Sequence, residues 1–160
     1  MKKKDLLGYV VGFLVFIVAI PALMRVLAGD VRPGWPRLLC TAVLAAAGLG
    51  LSVWSIVYMR IVGKGNPMDA FDHALAPRTS VLMTEGPYRL CRNPMLLGVF
   101  LYYSGLLICL WSWKPLAVFA VYAALMMRQV ASEEKRLERD FGEAYLAYKA
   151  KTRKLIPFLW

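Results

Sequence analysis

The chain has 160 residues, 59% of them hydrophobic, with a mean hydropathy of +0.53; ordinary soluble domains are only about half apolar, so a soluble globular fold is excluded and a membrane protein predicted. The formal net charge of +10 comes without a nucleic-acid-binding motif, so no nucleic-acid partner is expected. Cys40, Cys91 and Cys109 are odd in number and form no CxxC pair, which excludes a disulfide framework and a zinc site; no metal is expected.

Met1, Lys2, Lys3 and Lys4 precede an uncharged apolar run over 6–24. The run is longer than a signal-peptide h-region and no small-residue cleavage site follows, so it reads as a retained first span over about 6–28. Pro21 falls inside it, and a kink there is tolerable only if neighbouring groups satisfy the freed carbonyl. Pro33, Gly34 and Pro36 then make a short turn, with Trp35 at interface depth.

A second span is predicted over about 38–62. Ala46 and Gly50, and Gly48 and Ser52, are small residues four apart, a spacing that lets another helix approach closely. Gly63, Lys64, Gly65, Asn66 and Pro67 end this helix without the order of a phosphate-binding loop. The loop that follows holds the chain's one histidine, His73, between Asp69 and Asp72. It reads as a solvated loop residue. Residues 80–83 form a short extended apolar stretch.

The chain's most informative segment is 85–98, which begins Glu85, Gly86, Pro87, Tyr88, Arg89 and continues through Arg92, Asn93 and Pro94 to Gly98. Asn93 suits an N-cap and Pro94 a first helical turn, so a third span over about 94–113 begins here. Its unpaired amides, with Arg89 and Arg92 nearby, make an anion-attracting end. Trp111, Ser112, Trp113, Lys114 and Pro115 make a tight hairpin with aromatic side chains at interface depth. A fourth span is predicted over about 115–131.

That helix continues beyond the apolar stretch. Met127, Val130, Glu134, Leu137 and Phe141 share one face, which embeds a carboxylate in an inward apolar stripe. Arg136 and Asp140, at i,i+4, are expected to pair on the solvated face. Tyr145, Tyr148, Arg153 and Pro157 read as a tail of aromatics and cations at the water interface.

Basic residues divide by side: 16 of the 20 Lys and Arg lie in the N-terminus, the segment 60–92 and the tail from Arg128, against Arg25, Arg32, Arg37 and Lys114 on the other side. The positive-inside rule puts both termini and the central loop in the cytoplasm. The expected architecture is all-α, multi-pass and a single domain of four transmembrane helices. The last two form a hairpin, the loop 63–93 lies on the cytoplasmic side, and the tail 132–160 is a cytoplasmic helical extension.

Gly86–Pro87–Tyr88–Arg89, Arg92–Asn93–Pro94, Gly98, Glu133–Glu134, Leu137, Phe141–Gly142, Tyr145, Tyr148, Arg153 and Pro157 together resemble the integral-membrane methyltransferases. That group includes isoprenylcysteine carboxyl methyltransferases, phosphatidylethanolamine N-methyltransferases and bacterial relatives. The resemblance covers roughly residues 60–160, and its specificity lies in the order and separation of the motifs. It implies S-adenosylmethionine as cofactor, held at the cytoplasmic ends of the last two spans. Val81, Leu82, Met83 and Tyr88 would border it. Arg92 and Asn93 would hold its polar groups, Leu101, Tyr102, Tyr103 and Ser104 would line the third helix, and Glu133 or Glu134 would bind from the fourth. The family usually has histidine and tyrosine where this chain has Asn93 and Leu96, and an arginine one residue after Arg128, where Gln129 stands.

On this resemblance the substrate is a lipid or lipidated molecule taken from the bilayer and methylated on a carboxylate or an amine; a small hydrophobic metabolite or thiol is the alternative. Arg128 and Arg153 would orient an acceptor carboxylate, and Glu134 or Glu133 would take a proton from an amine. The implied site is a pocket at the inner leaflet, of a bacterial inner membrane or of the endoplasmic reticulum, with cations on one wall and an acid on the other. A small four-helix transporter or membrane interaction module is the non-enzymatic alternative. Ion-coupled exporters would be expected to carry a membrane-buried acid, and the three clear spans contain none.

Overall fold

The computed structural model describes residues 10–64, 69–70, 73–74 and 79–156, without the side chains of 69–70 and 73–74. The expectations for Lys2, Lys3, Lys4, Asn66, Pro67, Asp72 and Pro157 lie outside these residues. Four helices dominate: α1 Val10–Ala28, α2 Trp35–Ile61, α3 Pro94–Leu110 and α4 Trp113–Lys151. α1, α2 and α4 are each long and apolar enough to cross a membrane, whereas α3 is apolar but has 17 residues. Between α2 and α3 come a two-residue antiparallel pair, Asp69–Ala70 with His73–Ala74, and a 3₁₀ turn, Gly86–Arg89.

The chain divides into two units, one made of residues up to 50 with 98–124 and the other of 51–97 with 125 onwards. In the first, α2 and α3 run antiparallel in close contact at Gly48, where an added Cβ would lie 2.3 Å from the Gly98 carbonyl oxygen. Only glycine fits there. Gly50, from the other small-residue pair, faces open space. Thr41 Oγ1 donates to the Gly105 carbonyl at 2.8 Å and fixes the same contact a few turns away.

α1 contains a π-helical stretch, Leu14–Ala19, that ends two residues before Pro21. Proline has no N–H, so the carbonyls one turn upstream lose their donor. The Tyr103 hydroxyl donates to the Phe16 carbonyl at 2.7 Å, and the Tyr102 hydroxyl to that of Ile17 at 3.4 Å. This is the compensation that an apolar environment requires. Tyr103 is fully buried among Phe119 and Tyr122. Trp35, Trp111 and Trp113 are exposed, and Arg37 lies over the Trp111 ring at 5.4 Å.

The second unit is organised around Met59, Tyr88, Tyr145 and Tyr148, with Tyr58, Leu82, Met83, Leu137 and Phe141 packed against them. Gly86, at φ +63, lies flat against the Tyr58 ring, which would be 2.6 Å from an added Cβ. Here α4 is not one rod. Gly142 has φ 51 and ψ −127, a conformation of the first central residue of a type II′ turn that strongly favours glycine. In a straight helix Glu134 and Lys149 would be separated by about 22 Å. Arg92 bonds to both, so the chain reverses at Gly142 and the segment after it folds back.

Two expectations are corrected in this unit. Tyr145 and Tyr148 are buried, 1% and 8% exposed, because the reversal at Gly142 turns them inward from the water interface. Arg136 is likewise buried rather than on a solvated face, with its Nη2 3.6 Å from Glu133 Oε1.

Candidate functional site

The site forms where the loop before α3 meets the folded-back end of α4, entirely within the second unit. Pro94 opens α3 and the Asn93 carbonyl accepts the first helical bond, from Leu97 N–H at 3.0 Å. That turn holds Arg92 and Asn93 beside the last residues of α4. Both act on backbone. The Arg92 N–H donates to the Arg153 carbonyl at 2.8 Å, and Asn93 Nδ2 donates to the Lys154 carbonyl at 2.9 Å. Arg92 Nη1 donates to the Lys149 carbonyl at 3.2 Å and to that of Thr152. A cation therefore caps carbonyls that a helix end leaves without donors, and it favours that end electrostatically.

Arg92 Nε donates to Glu134 Oε1 at 2.8 Å, with both side chains about nine-tenths buried. Lys154 Nζ lies 3.2 Å from the other carboxylate oxygen. Glu134 thus has a cation on each oxygen, the arrangement that makes a buried carboxylate tolerable. The space expected between Arg92 and the acids is closed, because the positive and negative walls touch. Desolvation and the repulsion of like charges act on Glu133: burial, then the Glu134 carboxylate, push its pKa above the usual range. Its 3.6 Å pair with Arg136 is too long to reverse this, and the third of its surface still open to solvent moderates the shift. Cys91 is fully buried and its thiol is pushed up by desolvation, consistent with packing rather than reactivity.

Around this knot, the Tyr148 hydroxyl donates to the Tyr88 carbonyl at 2.7 Å, and Thr152 Oγ1 donates to the Tyr148 carbonyl at 2.8 Å. Tyr145 packs on Tyr148 with ring centroids 6.2 Å apart. Its hydroxyl is buried without a hydrogen-bond partner among the described residues.

Of the residues singled out from the sequence, Tyr88, Arg92, Asn93 and Glu134 come together here, with Leu82 and Met83 in the adjoining cluster. Val81 is exposed. Arg128 and Arg153 are exposed, and neither side chain makes an ion pair among the described residues. Leu101, Tyr102, Tyr103 and Ser104 belong to the first unit, where the two tyrosine hydroxyls serve α1. Sequence reasoning missed Lys154 and Tyr58. Lys154 is one of several tail cations and follows the last helical turn, so no periodicity marks it; Tyr58 sits on a helix whose apolar residues point in every direction.

A family model described as phospholipid methyltransferase matches residues 36–144, about two thirds of the chain and most of the segments that build this site. The chain belongs to the phospholipid methyltransferase family. Protein-S-isoprenylcysteine O-methyltransferase of Rattus norvegicus is 30% identical over 129 residues, 78% of this chain and 45% of that protein. The Mus musculus protein of the same name matches with the same identity and coverage. This family member therefore spans about half the length of the curated relatives it matches. No solved structure matches it.

Proposed function

We propose that this family member transfers a methyl group from S-adenosylmethionine to a lipid or lipidated substrate drawn from the bilayer. The observation that carries the reading is the buried Arg92–Glu134–Lys154 knot, whose first two members lie within the family match. A buried acid with two cations suits a ligand whose own end is zwitterionic. The buried Tyr145 hydroxyl beside it is a hydrogen-bonding group waiting for a partner, and on that test the residues fit the cofactor. Arg92, Lys154, Glu134 and Glu133 would hold its charged end, with Tyr88, Leu82 and Met83 against its apolar parts.

When bound, the cofactor supplies an already activated methyl group. The protein's task is then mainly positioning. Arg128 and Arg153, exposed beside the knot's elements, would orient an acceptor carboxylate or a phospholipid phosphate. For an amine acceptor, Glu133 is the better base, because burial and the neighbouring Glu134 carboxylate raise its pKa and so make it a stronger proton acceptor than an ordinary carboxylate. Glu134, committed to Arg92 and Lys154, would hold the knot together rather than meet the acceptor. In the membrane, α3 completes a four-span bundle with α1, α2 and the first part of α4, and both termini and the site face the cytoplasm.

The test is binding of labelled S-adenosylmethionine to the purified full chain, followed by mass spectrometry of extracted lipids and small metabolites after incubation with a deuterated methyl donor. Binding lost in Glu134→Ala and mass label in a lipid fraction support the reading. Label confined to a soluble metabolite or thiol would replace the substrate class, and absence of binding by the wild type would remove the function.

A further inference from the structure

Two tyrosines of the folded-back segment sit side by side, and only one has its hydroxyl engaged. The Tyr148 hydroxyl donates to the Tyr88 carbonyl at 2.7 Å. The Tyr145 side chain is 1% exposed, and its hydroxyl oxygen is buried with no partner among the described residues. Phenylalanine would fill the same space without stranding a donor, so packing alone does not account for a tyrosine here. Its surroundings indicate what the hydroxyl is for. Glu134, Arg92 and Glu133 all lie near enough to act on it electrostatically. Arg92 already spends Nε on Glu134 and Nη1 on the Lys149 and Thr152 carbonyls. Lys154 is engaged with Glu134. A zwitterionic group entering this knot would find Glu133 at hand to receive its ammonium, but for its carboxylate only cations whose donors are largely taken.

We infer that the Tyr145 hydroxyl is a recognition donor for the carboxylate at the amino-acid end of the methyl donor. The inference rests on the proposed function and adds to it a specificity residue. A neutral donor fits this place because it adds a hydrogen bond to the incoming carboxylate without adding a third cation to a buried cluster. In the absence of ligand, the unpaired hydroxyl is a built-in cost that binding relieves.

Three proteins decide it, each as the full chain in detergent micelles: wild type, Tyr145→Phe and Tyr148→Phe. Calorimetric titration with S-adenosylmethionine and with its decarboxylated analogue is combined with thermal unfolding of the ligand-free proteins. Tyr145→Phe should bind S-adenosylmethionine about tenfold more weakly, the scale of one hydrogen bond to a charged group. It should bind the decarboxylated analogue within about twofold of wild type, and it should unfold no earlier than wild type without ligand. Tyr148→Phe, which breaks a structural bond, should unfold earlier and show no such preference between the two compounds. Equal affinity of Tyr145→Phe and wild type for S-adenosylmethionine overturns the inference. So does an equal loss for both compounds. A clear fall in the ligand-free unfolding temperature also overturns it, because the hydroxyl would then already have a partner such as a water. If the wild type binds neither compound, the methyl-donor reading itself falls, which is a different result from any of these.

Discussion

Arg92 joins an acid, two carbonyls through its side chain and a third through its backbone, so its loss removes several supports at once. Arg92→Ala would leave Glu134 buried with Lys154 alone, and removing one member of a buried pair costs about 3 kcal/mol. Chemical unfolding in micelles should register that loss. Arg92→Ala with Glu134→Ala should cost less than the sum of the single changes, since the second substitution removes a charge already stranded. Glu133 supplies a pH test. Its folded pKa is raised, so its contribution to stability is full below the unfolded value of about 4.3 and declines as pH rises through the folded value. Glu133→Gln abolishes that decline. Its unfolding temperature relative to wild type should therefore be higher at pH 8 than at pH 4, and a relative gain at the acidic end would refute the assignment.

At the scale of helices, the two small-residue pairs of α2 looked equivalent in sequence, yet they are not equivalent in space. Gly48→Ala would drive a Cβ into the Gly98 carbonyl and the Tyr102 backbone nitrogen, while Gly50→Ala meets nothing within 4 Å. The first should reduce folded yield and unfolding temperature sharply. The second should leave both near wild type, since replacing an interior helical glycine by alanine is mildly favourable. Gly142 is constrained differently. No atom lies within 4 Å of its missing Cβ, so Gly142→Ala should cost only the backbone strain, about 1–3 kcal/mol. Helix positions were largely readable from the sequence: α3 begins at Pro94 as its cap and proline predicted, and the inward stripe of Val130, Glu134 and Leu137 is where the 3.6-residue period put it. The reversal at Gly142 was not readable. A lone glycine inside a helical pattern looks the same whether the helix runs through it or folds back, and the inward turn of Tyr145 and Tyr148 was hidden with it.

For the whole molecule, composition carried most of the information. Exposed Val10, Phe13, Leu39, Val43, Val53 and Val121 would be unfavourable in water and are ordinary against lipid. The family was legible because its motifs combine residue identities with long separations, which composition alone does not reproduce. The Arg92 contacts were legible only in part. The pairing with Glu134 joins two charged residues that stood out in the sequence, whereas the other three Arg92 hydrogen bonds end on carbonyls, which every residue possesses. The proposed orientation gives a test at this scale. A reporter active only in the cytoplasm should work when fused after Trp160 and fail when inserted within 30–34, and the reverse would invert the topology.

The way Arg92 and Asn93 hold the returning strand of chain has a consequence for variation. They grip peptide oxygens of Lys149, Thr152, Arg153 and Lys154 and leave those side chains, except that of Lys154, outside the grip. What they recognise is therefore the path of the chain and not its lettering. Exchanges at positions 149, 152 and 153 that keep the same route should be accepted by the clasp, while a one-residue deletion between Gly142 and Lys149 would shift every gripped oxygen out of reach although no gripping residue had changed.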